Sequence, residues 1–148
     1  MEESLNFSNI KKNLHIEDKD IRTFSSLSLA YIGDTIFDLL IRSMVLANGN
    51  TPVSKMHKTC SGIVCATSQS EMIDAIYDDL TEEEKEVVLR GRNAKSKTTA
   101  KNASILDYRK ATSLEALLGY LYMEEKIDRL YELVTLGLKK TGRIKNEK

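Results

Sequence analysis

Between Ser26 and Leu46 the chain reads SLSLAYIGDTIFDLLIRSMVL, an apolar run whose only charges are Asp34, Asp38 and Arg42. Strands seldom exceed ten residues, so a run of this length predicts a helix, roughly 30 Å from end to end. The three charges stand at i, i+4 and i+8 and share one stripe of it. A bilayer span would have to bury all three together with Gly33, and no second apolar run of this kind follows, so a core helix is expected. The rest of the fold must then cover a helix that is apolar over most of its circumference.

The remaining sequence offers helices for that purpose. One Pro, seven Gly and long stretches of Leu, Ile, Ala, Glu and Lys favour helix over strand. The expectation is an all-α protein of one domain over residues 1–148. Its core would run from about 24 to 140, between a polar N-terminal segment and a basic C-terminal tail. Asn48-Gly49-Asn50 ends the first long helix, and Thr51-Pro52 opens a second, predicted to continue to Asp79. Thr81 with Glu84 forms a capping box for a third helix. Apolar residues from Ile127 to Leu138 mark a last helix over 126–140.

Between these lies ATSLEALLGYLYM, Ala111 to Met123, whose single charge is Glu115. A carboxylate on so apolar a helix loses hydration worth several kcal/mol unless a cation compensates it. If this helix packs on the first, Asp34 and Glu115 are candidates to share a metal ion. Each has a simpler reading. The Asp34–Asp38–Arg42 stripe could be only a wet face, with Asp38 paired to Arg42. Thr112-Ser113-Leu114-Glu115 has the spacing of a capping box, which would use Glu115 at a helix start. Spacing alone leaves both readings open.

The formal net charge is zero, but the charges are segregated. Eight acids and one lysine lie between Glu71 and Glu86, whereas Val87 to Leu106 holds no acid and five cations, Arg90, Arg92, Lys95, Lys97 and Lys101. Lys139 to Lys148 adds five cations against Glu147 alone. A local basic stripe is what an anionic polymer meets, whatever the net value. Within RNAKSKTTAKNAS, Arg92 to Ser104, Asn93, Thr98, Thr99 and Asn102 are interleaved with cations and aromatics are absent. That mixture suits phosphate and ribose hydroxyls better than stacked bases; a merely solvated surface loop is the plainer alternative. Cys60 and Cys65 are too few for a disulfide scaffold, and with His57 they lack zinc spacing, so both are expected to be buried and inert. Met1-Glu2-Glu3 carries no export signal, which makes a cytoplasmic location the expectation.

Three stretches, LAYIGDTIFDLLIR (Leu29–Arg42), GRNAKSKTTAKNA (Gly91–Ala103) and YRKATSLEALLGYLY (Tyr108–Tyr122), together resemble Mini-III ribonuclease, a compact relative of ribonuclease III without its double-stranded-RNA-binding domain. The resemblance implies a ribonuclease III-type helical endonuclease domain, a homodimer, a Mg²⁺ requirement and cleavage of double-stranded RNA. It further implies maturation of 23S ribosomal RNA precursor ends. Asp34 and Glu115 would be catalytic and metal-holding, and Arg92, Asn93, Lys95, Lys97 and Lys101 would bind RNA. The family's two further acids fall on Ala30 and Thr112 here, so the number of bound ions and the part played by Asp38 stay open. No appended binding domain is expected after Lys140, so a ribosomal protein that helps present the substrate is an open partner. Two rivals are a non-catalytic RNA-binding or ribosome-assembly factor of the same fold and a helical interaction protein.

Overall fold

The computed structural model of the protein describes residues 4–94 and 104–145. Among them the regular structure is entirely helical: α1 (Phe7–Leu14), α2 (Ser26–Ala47), α3 (Val53–Val64), α4 (Ala66–Ile76), α5 (Glu82–Asn93), α6 (Ile105–Met123) and α7 (Ile127–Lys140), with short 3₁₀ turns at Ile21–Thr23 and Tyr77–Asp79. No helix among the described residues is long and apolar enough to cross a membrane.

The central element is α6, whose Leu114, Leu117, Leu118 and Leu121 are fully enclosed. Its neighbours are α2, α4, α5 and α7. The long apolar helix α2 turns Leu29, Ala30, Gly33, Phe37 and Ile41 inward, a stripe at helical spacing. Two glycines set how closely it meets α6. A Cβ on Gly33 would lie 1.7 Å from the Glu115 carbonyl oxygen, and one on Gly119 would lie 1.9 Å from the Leu29 carbonyl oxygen. The two backbones therefore touch directly, and any side chain at either point would push the helices apart.

Several boundaries differ from the sequence expectation. The long second helix is broken: Cys65 is extended (φ −65°, ψ 159°), so α3 stays against α2 while α4 crosses to α6 and α7. Cys60 is buried as expected, but Cys65 is exposed at this break. The polar N-terminal segment forms α1, held by the Tyr122 hydroxyl donating to the Leu5 carbonyl (3.0 Å) and by Glu125 accepting from the Ser8 amide (3.1 Å). The capping box is present, with Thr81 accepting from the Glu84 amide and Glu84 from the Thr81 amide. Glu84 also binds the Arg129 guanidinium at 2.8 Å, which ties the start of α5 to α7.

Helix α6 begins earlier than the sequence suggests. Its cap is Ser104, whose hydroxyl accepts from the Asp107 amide at 3.0 Å. Thr112 is thereby carried into the helix interior, where its hydroxyl donates to the Tyr108 carbonyl (3.0 Å). Glu115 sits further along the same helix and takes no part in a capping box.

Adding one methyl group at the seam should be far more damaging than adding it elsewhere. Gly119→Ala is expected to lose about 3 kcal/mol, because backbone must move to admit it. In α3, Gly62 has nothing within 4 Å of an added Cβ; Gly62→Ala should gain about 0.5 kcal/mol by stiffening the unfolded chain. Urea unfolding midpoints of the two variants test the contrast, and equal shifts would contradict the close seam.

Candidate active site

Gly33 and Glu115 are in backbone contact, so the residue after Gly33, Asp34, is delivered to the same place as Glu115. The two carboxyl groups come near each other across the α2–α6 seam, close enough for the charge of Asp34 to act on Glu115. The surroundings of the two differ. Glu115 is partly buried while Asp34 is exposed. Burial, followed by the charge of Asp34, pushes the Glu115 carboxyl from its ordinary 4.5 up to about 8. Glu115 accordingly keeps its proton through neutral pH in the half-buried seam.

One further side chain reaches the pair. Gln69, on the first turn of α4, donates from Nε2 to Glu115 Oε2 at 3.3 Å and to the Val64 carbonyl at 2.8 Å. The bond to Glu115 opposes its upward shift without cancelling it. Gln69 is absent from the sequence candidates. The one signal for it is Ser68-Gln69-Ser70, three polar residues opening a helix whose later inward positions are Met72, Ile73 and Ile76; all six are buried.

The other sequence candidates sort as follows. Asp38 stands one turn beyond Asp34 and pairs with Arg42 at 3.0 Å, as the wet-face reading has it. Thr112 and Ala30 are buried and bring no carboxylate. No group of three or more His, Cys, Asp or Glu residues gathers among the described residues. Asp34 and Glu115 thus make a set of two carboxyls without a third protein ligand among the described residues. Arg92 and Asn93 are the exposed last residues of α5. They directly follow Gly91, where an added Cβ would lie 2.9 Å from the Ser113 Cα, so α5 ends against α6 within a turn of Glu115. Lys95, Lys97 and Lys101 lie outside the described residues.

A cation suits this donor set on the observed electrostatics. The pair is short of positive charge, since one carboxyl is held neutral beside the other. An ion with oxygen ligands would favour both ionised forms and release the proton.

Known proteins supply an independent line. The Ribonuclease III domain family model matches residues 27–126. The chain is 45% identical over 118 residues to Mini-ribonuclease 3 of Thermoanaerobacter sp., covering 80% of this chain and 83% of the relative. It is 40% identical over 132 residues to Mini-ribonuclease 3 of Enterococcus faecalis, covering 88% and 99%. A crystal structure of a Fusobacterium nucleatum protein superposes with a TM-score of 0.76 at 33% identity, over 82% of this chain and 99% of that one.

The raised carboxyl has a stability consequence whose sign is definite. Between pH 4.5 and about 8 the folded chain holds a proton that the unfolded chain has lost. Metal-free stability should then fall as pH rises through that window, by at most about 1.4 kcal/mol per pH unit. Glu115→Gln removes the charge without removing the shape. At about pH 8.5 in chelator the variant is expected to be the more stable by about 2 kcal/mol, with no advantage at about pH 4. Denaturant melts at the two pH values check this, and a pH-independent difference would contradict it.

Proposed function

The chain belongs to the ribonuclease III family, on its Mini-ribonuclease 3 branch, and is an endoribonuclease of double-stranded RNA; from that premise we propose that Asp34 and Glu115 hold a catalytic Mg²⁺. The observation that carries the proposal is the backbone contact of Gly33 with Glu115, which brings the exposed Asp34 and the half-buried, neutral Glu115 to one seam. Such an ion supplies a water that is nucleophilic at neutral pH and positive charge beside the phosphate.

The chain's own residues do the rest. Asp34, on the exposed side, meets solvent and substrate first. Glu115 keeps a proton on its carboxyl until a cation replaces it, so loading the site is coupled to proton release. The glycine contact between α2 and α6 fixes both groups before substrate arrives, which is the condition for placing charge where the reaction develops it. Magnesium asks a protein for only one or two carboxylates when substrate oxygens complete its shell, so the absence of acids at Ala30 and Thr112 is compatible with this chemistry.

The proposed RNA-facing residues are Arg92, Asn93, Lys95, Lys97 and Lys101. Charge pairing supports that choice. Lys110 is bound to Asp74, Lys140 to Asp79 and Arg143 to Glu71, so cations of α6, α7 and the tail are met by the acidic run. Arg92 enters no ion pair among the described residues and stands at the end of α5, close to the carboxyl pair.

We further propose a homodimer, whose two sites would cut the two strands, acting in the cytoplasm on the ends of 23S ribosomal RNA precursor, with a ribosomal protein as a candidate aid to substrate presentation. Tyr31 supports the dimer. It is 81% exposed and lies one turn before Asp34 on α2, an aromatic side chain that a lone chain would leave in water.

Asp34→Asn and Glu115→Gln should fold and yet lose Mg²⁺-dependent cleavage of a short RNA duplex by at least about a hundredfold, the scale of losing a metal's charge at the phosphate. Retained cleavage in both would defeat the assignment. Separately, replacing Lys95, Lys97 and Lys101 together by Ala should flatten the log–log salt dependence of duplex binding by roughly 2 to 3, borrowing the slope per phosphate contact of duplex DNA. An unchanged slope, measured in chelator by fluorescence anisotropy, would remove the segment from the interface.

A further inference from the structure

We propose that Gln69 is a positioning residue: it aims the Glu115 carboxylate at the metal ion and is itself held in place by the break between α3 and α4. This rests on Asp34 and Glu115 being the metal-holding pair.

The Val64 carbonyl sets the first constraint. In one continuous helix it would accept an amide proton from four residues on. Because α3 ends at Val64 and Cys65 is extended, that carbonyl is left at a helix end in need of a donor. Gln69 Nε2 provides it at 2.8 Å. A carbonyl can only accept, so this bond also settles which way round the amide lies; turned over, two oxygens would face each other. The amide nitrogen has a second proton, and its partner is Glu115 Oε2 at 3.3 Å. Gln69 therefore presents a donor to Glu115 and cannot switch to an acceptor. With one oxygen of Glu115 engaged from α4, the carboxyl plane is oriented relative to Asp34 on α2.

Capping the Val64 carbonyl uses one amide proton and accounts for neither the second nor the oxygen. Gln69 is 2% exposed, and its Oε1 has no hydrogen-bond partner among the described residues. Burying an acceptor in that state is unfavourable and offsets part of what the bond to Val64 contributes. Hydrogen-bond partners of metal ligands act by fixing ligand orientation, and their loss typically weakens metal affinity or activity about ten- to hundredfold.

Gln69 is the only glutamine in the chain, so labelling glutamine with ¹⁵N reports on one side-chain amide. In the full-length parent, titration with MgCl₂ and no RNA should move that signal along a saturable curve. In Gln69→Met, which keeps the length and removes both donors, Mg²⁺ half-saturation by calorimetry should rise about tenfold. Its kcat at low Mg²⁺ should fall while KM for a duplex RNA stays within about twofold and melting remains cooperative. A Gln69→Met protein that melts lower yet binds Mg²⁺ like the parent would reduce the residue to a structural part and overturn the inference. An amide signal indifferent to Mg²⁺ would also overturn it, and this measurement stands even if the variant does not fold. Asp34→Asn and Glu115→Gln serve as the separating control. If they abolish Mg²⁺ binding while Gln69 proves inert, the carboxyl pair survives and only the role of Gln69 falls. If neither weakens Mg²⁺ binding, the pair itself is wrongly assigned and the inference is overturned with it.

Discussion

The direct backbone contact between α2 and α6 governs the rest of the structure, because the two carboxyls proposed to hold the metal ion stand beside it. Gly33 lies against the Glu115 carbonyl and Gly119 against the Leu29 carbonyl. Helix axes normally stand about 8–10 Å apart, separated by the side chains between them. Glycine at both contact points lets these two helices meet backbone to backbone. Asp34 follows Gly33 in the chain, and Glu115 bears the very carbonyl that Gly33 touches. The pairing of the carboxyls is therefore a consequence of helix packing rather than of any loop, and it inherits the rigidity of the core.

That rigidity is what allows an unfavourable arrangement to persist. A carboxyl held protonated up to about pH 8 by burial and by the charge of Asp34 opposes folding over much of the neutral range. A flexible site would relieve this by letting the side chains swing into water. Here Leu114, Leu117, Leu118 and Leu121 lock α6 in the core, and the Glu115 side chain has Gln69 on one side and Asp34 on the other. Strain of this kind, located at one point and supported by an otherwise well-packed core, is the usual mark of a site kept for binding something that the bare fold lacks.

Much of this is legible in the sequence, and the failures are instructive. The apolar run of α2, the Thr81–Glu84 capping box and the last helix follow from periodicity and capping alone, because each signal is local and each agrees with the final packing. Asp34 and Glu115 are visible as charges out of place in apolar helices. What local signals cannot resolve is competition between equivalent ones. Ser104-x-x-Asp107 and Thr112-x-x-Glu115 are both acceptable helix starts, and the earlier one prevails because α6 gains a longer contact with its neighbours. The break at Cys65 carries no Pro and follows Gly62 by three residues; it exists because α3 and α4 pack on different partners, which is a tertiary cause. Gln69 escapes a sequence reading for the same reason, since its role depends on that break.

The distribution of charge gives the fold its direction. A chain of zero net charge has no long-range attraction for RNA as a whole, so any attraction must come from charges left uncompensated in one region. The acidic run from Glu71 to Glu86 lies on α4, on the 3₁₀ turn after it and on the start of α5, and it meets Lys110, Arg129, Lys140 and Arg143 from α6, α7 and the tail. Apart from Glu84–Arg129, whose carboxylate is buried, these pairs are largely exposed and individually weak, worth up to about 1 kcal/mol each. Their larger effect is to neutralise the face they occupy. Arg92, at the far end of α5, is outside that network, and the acid-free segment follows it directly. A polyanion would find little to hold it over the α4–α7 face and uncompensated cations where α5 ends, within a turn of Glu115. The helix that begins in a cluster of glutamates ends in Arg90 and Arg92, within a turn of Glu115, and this charge gradient along α5 is what favours the proposed approach of a phosphate backbone from that end.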